Sequence, residues 1–194
     1  ISMAMGLTFI NLDVGNLDKL PSHCSACVYW EHPVEFNKQL ERSKAIELKA
    51  KWVHGHEGST FGGLIALLDG VSIGFCQFAG SPFFPNVVEY SCGPPSPDSL
   101  FVACLYVPEA RGQGFGSQLI SHVEAEAAAR GFKAVETFAR RVSENNPSGP
   151  IGFWAKAGYR ILRERDGFAL MRKGLTKNPK YDWLKSLSTN AQDD

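Results

Sequence analysis

The residues best suited to chemistry lie in one segment, LYVPEARGQGFGSQLISHV, residues 105–123. An apolar run leads into a turn, and the turn opens directly into a helix-forming stretch. The turn contains three glycines, Gly112, Gly114 and Gly116. Glycines allow the backbone to approach a ligand, and the N–H groups at a helix N-terminus lack intrahelical partners. The segment therefore predicts an anion site suited to phosphate or pyrophosphate, to which Arg111 adds a positive charge and Ser117 a hydroxyl.

Two familiar phosphate-binding patterns do not fit this segment. The nucleotide-triphosphate loop requires a Lys directly after its last glycine, whereas Ser117 follows Gly116. The dinucleotide pattern G-x-G-x-x-G fails at position 117, and the segment follows a predicted hairpin rather than opening a first βαβ unit. The remaining pattern, [RQ]-x-x-G-x-[GA], is met by Arg111, Gly114 and Gly116.

A second motif, GFWAKAGY, residues 152–159, follows the first after a predicted helix and strand. Together with residues 105–120, it resembles the GNAT superfamily of acetyl-CoA-dependent N-acetyltransferases. The first motif is similar to the superfamily's pyrophosphate-binding segment, and the second is similar to its short helix that ends in Gly-aromatic. The resemblance extends over about residues 60–173 in the order of elements. It implies an acyltransferase with acetyl-CoA as donor and an unidentified amine as acceptor.

The resemblance also implies which residues hold the acetyl-CoA. The backbone of the strand before the turn would bond the pantetheine arm, at Leu105, Tyr106 and Val107. The turn and the start of the helix would bind the pyrophosphate, at Arg111, Gly112, Gln113, Gly114, Phe115, Gly116 and Ser117. A backbone N–H of the same strand would polarise the thioester carbonyl, and such a donor can contribute about 3 kcal/mol.

Two positions depart from the superfamily pattern. Where the superfamily often has a Tyr that protonates the leaving sulfur, this chain has Trp154, whose indole N–H donates a hydrogen bond but cannot deliver its proton. Trp154 could instead pack on the cofactor arm. The Asn that often lies seven residues earlier is replaced by Pro147, and Asn145 or Asn146 just upstream could contact the pantetheine in its place.

A catalytic base does not stand out in the sequence. An acid near the start of the central strand or in the loop before it would suit, and Asp98 and Glu89 are the nearest candidates. For each of them, a surface carboxylate without a catalytic role is the alternative interpretation. The loop 80–99 carries Phe83, Phe84 and Tyr90, which we expect to shape the acceptor pocket.

The cysteines offer a different kind of site. Cys24 and Cys27 form a C-x-x-C in SHCSACVYWEH, with His23 and His32 beside them. This set could hold a metal or form a redox pair, but a structural zinc needs four ligands and a second C-x-x-C is absent. Plain thiols packed in a loop are the third interpretation.

The elements that would position these motifs follow from hydrophobic periodicity and turn residues. We predict strands at 7–14, 99–107 and 132–140, helices at 35–53, 117–131 and 150–158, and hairpins that turn at Asp69-Gly70 and Asp166-Gly167. This order predicts an α/β fold of the layered α+β kind. Its single mixed, mostly antiparallel sheet is flanked by helices, as in the acyl-CoA N-acyltransferase fold that the resemblance implies.

The predicted domain organisation is simple. Residues 1–175 form one GNAT-like acetyltransferase domain, and a Cys-containing insert lies at 15–33 within it. Residues 176–194 form a polar C-terminal tail.

Composition excludes several other classes of protein. The 194 residues carry 20 Lys plus Arg against 20 Asp plus Glu, so the chain lacks the basic excess of a dedicated nucleic-acid binder. We find no apolar run long enough to span a bilayer and no signal peptide. Five cysteines without an export signal indicate reduced thiols in a cytoplasmic protein, and a homodimer is compatible with these observations.

The sequence therefore predicts an N-acetyltransferase that moves the acetyl group of acetyl-CoA to a primary amine by direct attack on the thioester. The first alternative is a non-catalytic acyl-CoA-binding or regulatory domain on the same scaffold. The second is a metal or redox module built on Cys24 and Cys27.

Overall fold

The computed structural model describes residues 6–108, 113–141 and 147–176. Seven strands of this part form one sheet in the order β1-β2-β3-β4-β5-β7-β6, and only β4 and β5 pair in parallel. The strands are β1 (Leu7–Asn11), β2 (Gly62–Leu68), β3 (Val71–Gly80), β4 (Ser99–Tyr106), β5 (Ala134–Arg140), β6 (Arg160–Arg165) and β7 (Phe168–Gly174). The helices are α1 (Ser22–Ser25), α2 (Pro33–Asn37), α3 (Arg42–Gly55), α4 (Phe115–Ala129) and α5 (Ile151–Lys156). The predicted mixed, mostly antiparallel sheet flanked by helices is confirmed.

Both predicted hairpins are present, and the reason is local. Asp69 and Gly70 have φ angles of 50° and 82°, and Asp166 and Gly167 have φ angles of 51° and 81°. Two successive left-handed residues form the turn whose twist matches that of paired strands, and Asp-Gly favours this conformation. The register of β2 with β3 and of β6 with β7 follows from these turns.

The predicted helix 35–53 is wrong in one respect, because it is two helices. The backbone N–H of Lys38 bonds the carbonyls of Val34 and Glu35 and closes α2, and Gln39 then has a φ of 52°, which turns the chain. After this break, α3 presents buried side chains at every fourth residue, Ala45, Lys49 and Val53. Packing of α3 on the sheet therefore overrides a run of helix-forming residues that contains neither Gly nor Pro.

Side chains cover both faces of the sheet. The first layer holds α1, α2, α3 and the segment between β3 and β4, and its buried residues include Trp30, Phe75, Phe84, Phe101 and Phe138. The second layer holds α4 and α5 and includes Leu119, Ile120, Val123 and Trp154. None of the described helices is both long and apolar enough to cross a bilayer.

The segment predicted as the loop 80–99 contributes to the core of the first layer. It contains a 3₁₀ turn at Pro85–Glu89, and the Phe84 ring stacks on Trp52 at 6.3 Å between centroids. The Tyr90 ring stacks on Phe138 at 4.6 Å. Phe84 and Tyr90 are only 3% and 8% exposed, so these two rings act mainly as core side chains rather than as open walls of a pocket.

Candidate functional site

The site is built where β4 and β5 separate. Their parallel pairing runs from Ser99 opposite Ala134 to Val102 opposite Thr137 and extends no further in the described residues. The Thr137 hydroxyl donates to the Val102 carbonyl at 2.9 Å. A side chain therefore supplies a hydrogen bond to this backbone carbonyl at the point where the strands diverge. Beyond it, β4 no longer pairs with β5, and the Leu105 N–H donates instead to the Pro147 carbonyl at 2.9 Å.

A β-bulge redirects the side chains of β4 at the same point. Cys104 pairs with Gln77 and Val102 pairs with Phe78, which leaves Ala103 without an opposite residue on β3. Ala103 and Cys104 therefore both face the first layer, and Tyr106 faces it as well. A bulge of this kind bends a strand and re-aims side chains, and such features are common near active sites.

The neighbouring strand β3 has no room for a Cβ atom at the residue beside the end of β4. A Cβ atom placed on Gly74 would lie 2.9 Å from the carbonyl oxygen of Tyr106 and 3.1 Å from a methyl of Val107. A larger residue at this position would clash with the β4 backbone. Because the clashing atom belongs to the backbone, a change of side-chain rotamer could not remove the clash. The glycine therefore allows the close approach that holds Tyr106 and Val107 in place.

The helix α4 begins beside this edge of β4. Gly114 is its N-cap, with a φ of 79° that favours glycine, and the Gln118 N–H donates to the Gly114 carbonyl at 3.1 Å. The N–H groups of the first turn have no intrahelical acceptor, and the helix dipole adds positive potential there. A Cβ atom on Gly116 would lie 3.3 Å from the Phe153 ring, so α4 and α5 meet tightly at this end.

The sequence model of the acetyltransferase (GNAT) family matches residues 26–159 of this chain, which is well over half of its length. The chain belongs to the GNAT acetyltransferase family. The predicted resemblance is thereby confirmed, and as a GNAT protein the chain is an acyltransferase whose acyl donor is acetyl-CoA. No curated protein matches its sequence.

Solved GNAT structures share the fold. PaiA N-acetyltransferase from Thermoplasma acidophilum, in complex with coenzyme A, has a TM-score of 0.56 at 16% identity, over 88% of this chain and 99% of that one. An N-acetyltransferase from Staphylococcus aureus Mu50 has a TM-score of 0.57 at 16% identity, with coverage of 88% and 99%. YhbS from Escherichia coli, in complex with CoA, has a TM-score of 0.54 at 16% identity, with coverage of 91% and 85%. At this identity the likeness concerns the fold.

The described residues fit the donor of the GNAT family. An extended pantetheine arm can bond the edge of a strand, and beyond Val102 the edge of β4 is no longer paired with β5, although its Leu105 N–H is bonded to Pro147. A pyrophosphate requires N–H groups at a helix start, which α4 offers after Gly114. Of the residues predicted to bind acetyl-CoA, Arg111, Gly112, Asn145 and Asn146 lie outside the described residues, and the tail 176–194 lies outside them after Thr176.

Trp154 lies in the core of the second layer. Its side chain is fully buried, its ring meets Tyr159 at 4.8 Å, and its indole N–H donates to the Ser148 carbonyl at 2.7 Å. A buried ring with a committed N–H presents no surface to a ligand in this arrangement. The structure therefore gives no support to direct contact of Trp154 with acetyl-CoA and instead gives it a packing role.

Asp98, the first candidate for the catalytic base, is held in an ion pair with Arg172. It precedes β4, about seven residues and roughly 20 Å of extended chain from Leu105. Arg172 donates to both of its carboxylate oxygens, at 2.9 Å and 3.1 Å, and these hydrogen bonds lower the pKa of Asp98. These contacts favour the alternative interpretation of Asp98, a carboxylate without a catalytic role, and its part in catalysis stays a prediction.

The second candidate, Glu89, remains a prediction. It ends the 3₁₀ turn Pro85–Glu89 and its side chain is exposed. Glu136, on β5, is fully buried instead and accepts from the Ser96 N–H and hydroxyl and from Arg172, at 2.6, 2.7 and 2.8 Å. Its full set of donors gives Glu136 a structural role.

The side chains around Cys24 and Cys27 do not assemble a metal site. In the described part of the chain, no group of three or more His, Cys, Asp or Glu side chains is arranged to hold a metal ion. The neighbouring imidazoles contact rings, His23 with Tyr106 at 4.9 Å and His32 with Trp52 at 5.7 Å. Burial raises the pKa of both thiols, so both are protonated rather than thiolates, the form that binds metals and attacks disulfides.

Sequence reasoning missed a buried ion pair next to the bulge. The Lys49 ammonium of α3 contacts the Glu31 carboxylate and donates to the Gln77 side-chain oxygen at 2.8 Å. Burial by itself would lower the pKa of Lys49, but the Glu31 charge raises it on balance. The one available signal was the spacing of Lys49 four residues from Ala45 and from Val53, which places it on the buried face of α3.

Sequence reasoning also missed the position of His23. Its exposed imidazole stacks on the ring of Tyr106 with 4.9 Å between centroids and 17° between planes. The two residues lie far apart in sequence, so no local pattern brings them together. The contact depends on how α1 packs over the end of β4.

Proposed function

We propose that this protein transfers the acetyl group of acetyl-CoA to a primary amine, by direct attack of the amine on the thioester. The observation that carries the proposal is the divergence of β4 from β5 directly before the N-terminus of α4. A strand edge and a helix start that follow each other closely in the chain match an extended thioester arm followed by a pyrophosphate.

The donor would lie along this edge of β4. We assign the pantetheine to the backbone of Leu105, Tyr106 and Val107, and the pyrophosphate to residues 111–117, as the family resemblance implies. Leu105 already donates its N–H to the Pro147 carbonyl at 2.9 Å. Binding of the pantetheine at this N–H would replace an internal hydrogen bond. The net binding free energy gained at this one position is therefore small.

The chemistry expected of these residues is mainly positioning. Holding an amine and a thioester in reactive geometry can lower a barrier by about 7–11 kcal/mol. A backbone N–H of β4 directed at the thioester oxygen would stabilise the negative charge that develops there. The bulge at Ala103 supports this role because it breaks the regular pairing of β4 at the same level.

Departure of the thiol does not require the missing Tyr. The indole N–H of Trp154 is already bonded to Ser148 and takes no part. A thiol of ordinary pKa about 8.5 leaves as a thiolate without full protonation, so catalysis without a dedicated acid is chemically sound. A dedicated acid typically raises the rate by a factor of about 10²–10⁴, and we expect the kcat of this enzyme to be correspondingly lower.

The cellular setting follows from the thiols. Each of the five cysteines is free, and Cys24, Cys76 and Cys92 are buried. Free thiols are typical of reducing compartments, and we infer a cytoplasmic enzyme on this ground.

Calorimetric titration with acetyl-CoA tests the donor site. We expect micromolar binding to wild type and its loss in Gly114→Glu, since the new carboxylate opposes the pyrophosphate. Gly131→Glu is a matched control, because Gly131 lies just after the other end of α4 with a φ of 85° and equally open surroundings. Gly114→Gln separates charge from bulk. No binding to wild type at millimolar acetyl-CoA would contradict the donor site.

Thiol release then tests the reaction. Wild type is incubated with acetyl-CoA and, in turn, a diamine, an amino-acid ester, an aminoglycoside and a peptide with a free N-terminus. Amine-dependent release of CoA with formation of the acetamide would support transfer. Tight binding without any release would favour the acyl-CoA-binding alternative.

A further inference from the structure

His23 lies over the end of β4, on the side of the strand that faces the first layer. The bulge turns Tyr106 towards the first layer, whereas Leu105 and Val107 face the second layer, which α4 and α5 cover. The imidazole of His23 lies flat over the Tyr106 ring, at 4.9 Å between centroids. It therefore stands at the end of β4, above the strand edge assigned to the donor.

The backbone of α1 is anchored while this imidazole is exposed. Arg42 of α3 donates to the Ser22 carbonyl at 2.6 Å and to the Ser25 hydroxyl at 3.2 Å. Cys24 is only 4% exposed and belongs to the core of the first layer. His23, between these anchors, is exposed to solvent and held by its ring contact. Such a group can exchange protons with solvent and still keep a defined position.

Three carboxylates of this part of the fold pair with cations, and the exposed Asp18 lies 3.7 Å from the Lys19 ammonium. Glu31 is fully buried in its ion pair with Lys49. Glu136 and Asp98 both bind Arg172 at the far end of β4. Titratable and charged groups on the elements next to α1 are Tyr106 and Cys104 on β4, Arg42 and Lys49 on α3, Cys24 on α1, and Cys27 and Glu31 in the segment that follows α1. Asp18, before α1, lines the same surface cavity as Ser22, Ser25 and Lys49.

We propose that His23 is the general base that takes the proton from the acceptor ammonium. This inference rests on the proposed function. Histidine is the side chain whose charge ordinarily changes between pH 5 and 8, which suits this task. Tyr106 beneath it provides the surface that holds the imidazole, and the amine would bind between His23 and the β4 edge.

The proton balance is complete without another reactant. The acceptor ammonium gives one proton to a ring nitrogen of His23, and the neutral amine attacks the thioester carbon. The C–N bond forms, the C–S bond breaks and the sulfur leaves with the electron pair. The nitrogen then loses a second proton. One of the two protons ends on the CoA thiolate, and the other passes from His23 to solvent.

His23→Asn and His23→Gln test the proposal, with His122→Asn as the matched control. His122 is also exposed and also contacts a ring, Phe9 at 4.2 Å, but it lies on α4 in the other layer. We expect both His23 variants to bind acetyl-CoA like wild type by calorimetry. With the best alkylamine of the panel, kcat/KM at neutral pH should fall by about 10²–10⁴, and the acidic limb of its pH profile should move up towards the pKa of the amine itself.

A second acceptor separates proton transfer from misplacement. Methoxyamine is largely uncharged at neutral pH and needs no base, so its transfer by His23→Asn should fall by less than about tenfold. Added imidazole should restore part of the alkylamine rate to His23→Gly. An equal loss with both amines would overturn the base role, as would an unchanged pH profile.

The two proposals fail differently. If wild type releases no CoA with any amine, transfer itself is contradicted, and the role of His23 with it. If wild type transfers acetyl and His23→Asn does so equally well, only the assignment of His23 is overturned.

Discussion

The backbone N–H of Leu105 donates to the carbonyl oxygen of Pro147 at 2.9 Å, three residues after β4 stops pairing with β5. Pro147 therefore bonds the strand edge assigned to the donor. Pro147 cannot donate an N–H of its own, so its carbonyl is the group that it offers to β4.

The Leu105 amide should report donor binding. If pantetheine replaces Pro147, the Leu105 amide resonance should shift strongly when acetyl-CoA is titrated into ¹⁵N-labelled protein. Leu12 provides the control amide, because its N–H donates to Gly63 at 2.9 Å between β1 and β2, away from the site. A shift at Ser117 without one at Leu105 would show that the pyrophosphate binds as proposed but that the arm does not follow β4.

Gly74→Ala should destabilise the fold, because the new Cβ would lie 2.9 Å from the Tyr106 carbonyl. Overpacking against backbone typically costs about 1–3 kcal/mol, which chemical denaturation would detect as a lower midpoint. Gly152→Ala is the control, since a Cβ there has no neighbour within 4 Å and Ala favours the helix α5. Equal stability of the two variants would mean that β4 yields readily at Tyr106.

Glu31→Gln should cost far more than a surface charge deletion. It leaves the buried Lys49 ammonium with Gln77 at 2.8 Å and without a counter-charge. Removing one partner of a buried pair typically costs about 3–5 kcal/mol. Glu126→Gln, which breaks the partly exposed pair with Arg130, should cost no more than about 1 kcal/mol. A small effect of Glu31→Gln would show that water or a shifted Lys49 compensates for the charge.

Stability should fall in mild alkali because of the buried thiols. Burial raises the pKa of Cys76 well above the ordinary thiol value of about 8.5. The folded chain therefore keeps a proton at a pH where the unfolded chain has lost it. The unfolded state binds fewer protons above that pH, and the free energy of unfolding falls by up to about 1.4 kcal/mol per pH unit for one thiol.

Cys76→Ser isolates this contribution. Its hydroxyl does not ionise in this range, so the free energy of unfolding should fall less steeply between about pH 8.5 and 10.5 than in wild type. Cys92→Ser should have the same effect only up to about pH 11, because burial raises the pKa of Cys92 to about 11. Parallel pH profiles for wild type and Cys76→Ser would contradict the linkage.

Local rules accounted for much of the fold. Asp69-Gly70 and Asp166-Gly167 predicted two hairpins because their conformational preference acts within four residues. The helix α4 was predicted because its apolar residues repeat along one face and Gly131 ends it, with a φ of 85°. The break at Gln39 was missed, since tertiary packing rather than a breaking residue turns the chain there.

The sequence by itself determined the family, and it predicts the position of the donor turn, because both depend on glycines and helix formers that are contiguous in the chain. Only the tertiary structure decided that Asp98 pairs with Arg172, that Trp154 is a core residue, and that Lys49 is buried against Glu31. It also decided that His23 stacks on Tyr106. The physical reason is that the bulge at Ala103 and the divergence of β4 depend on pairing between distant strands, and these two features determine which side chains meet at the site.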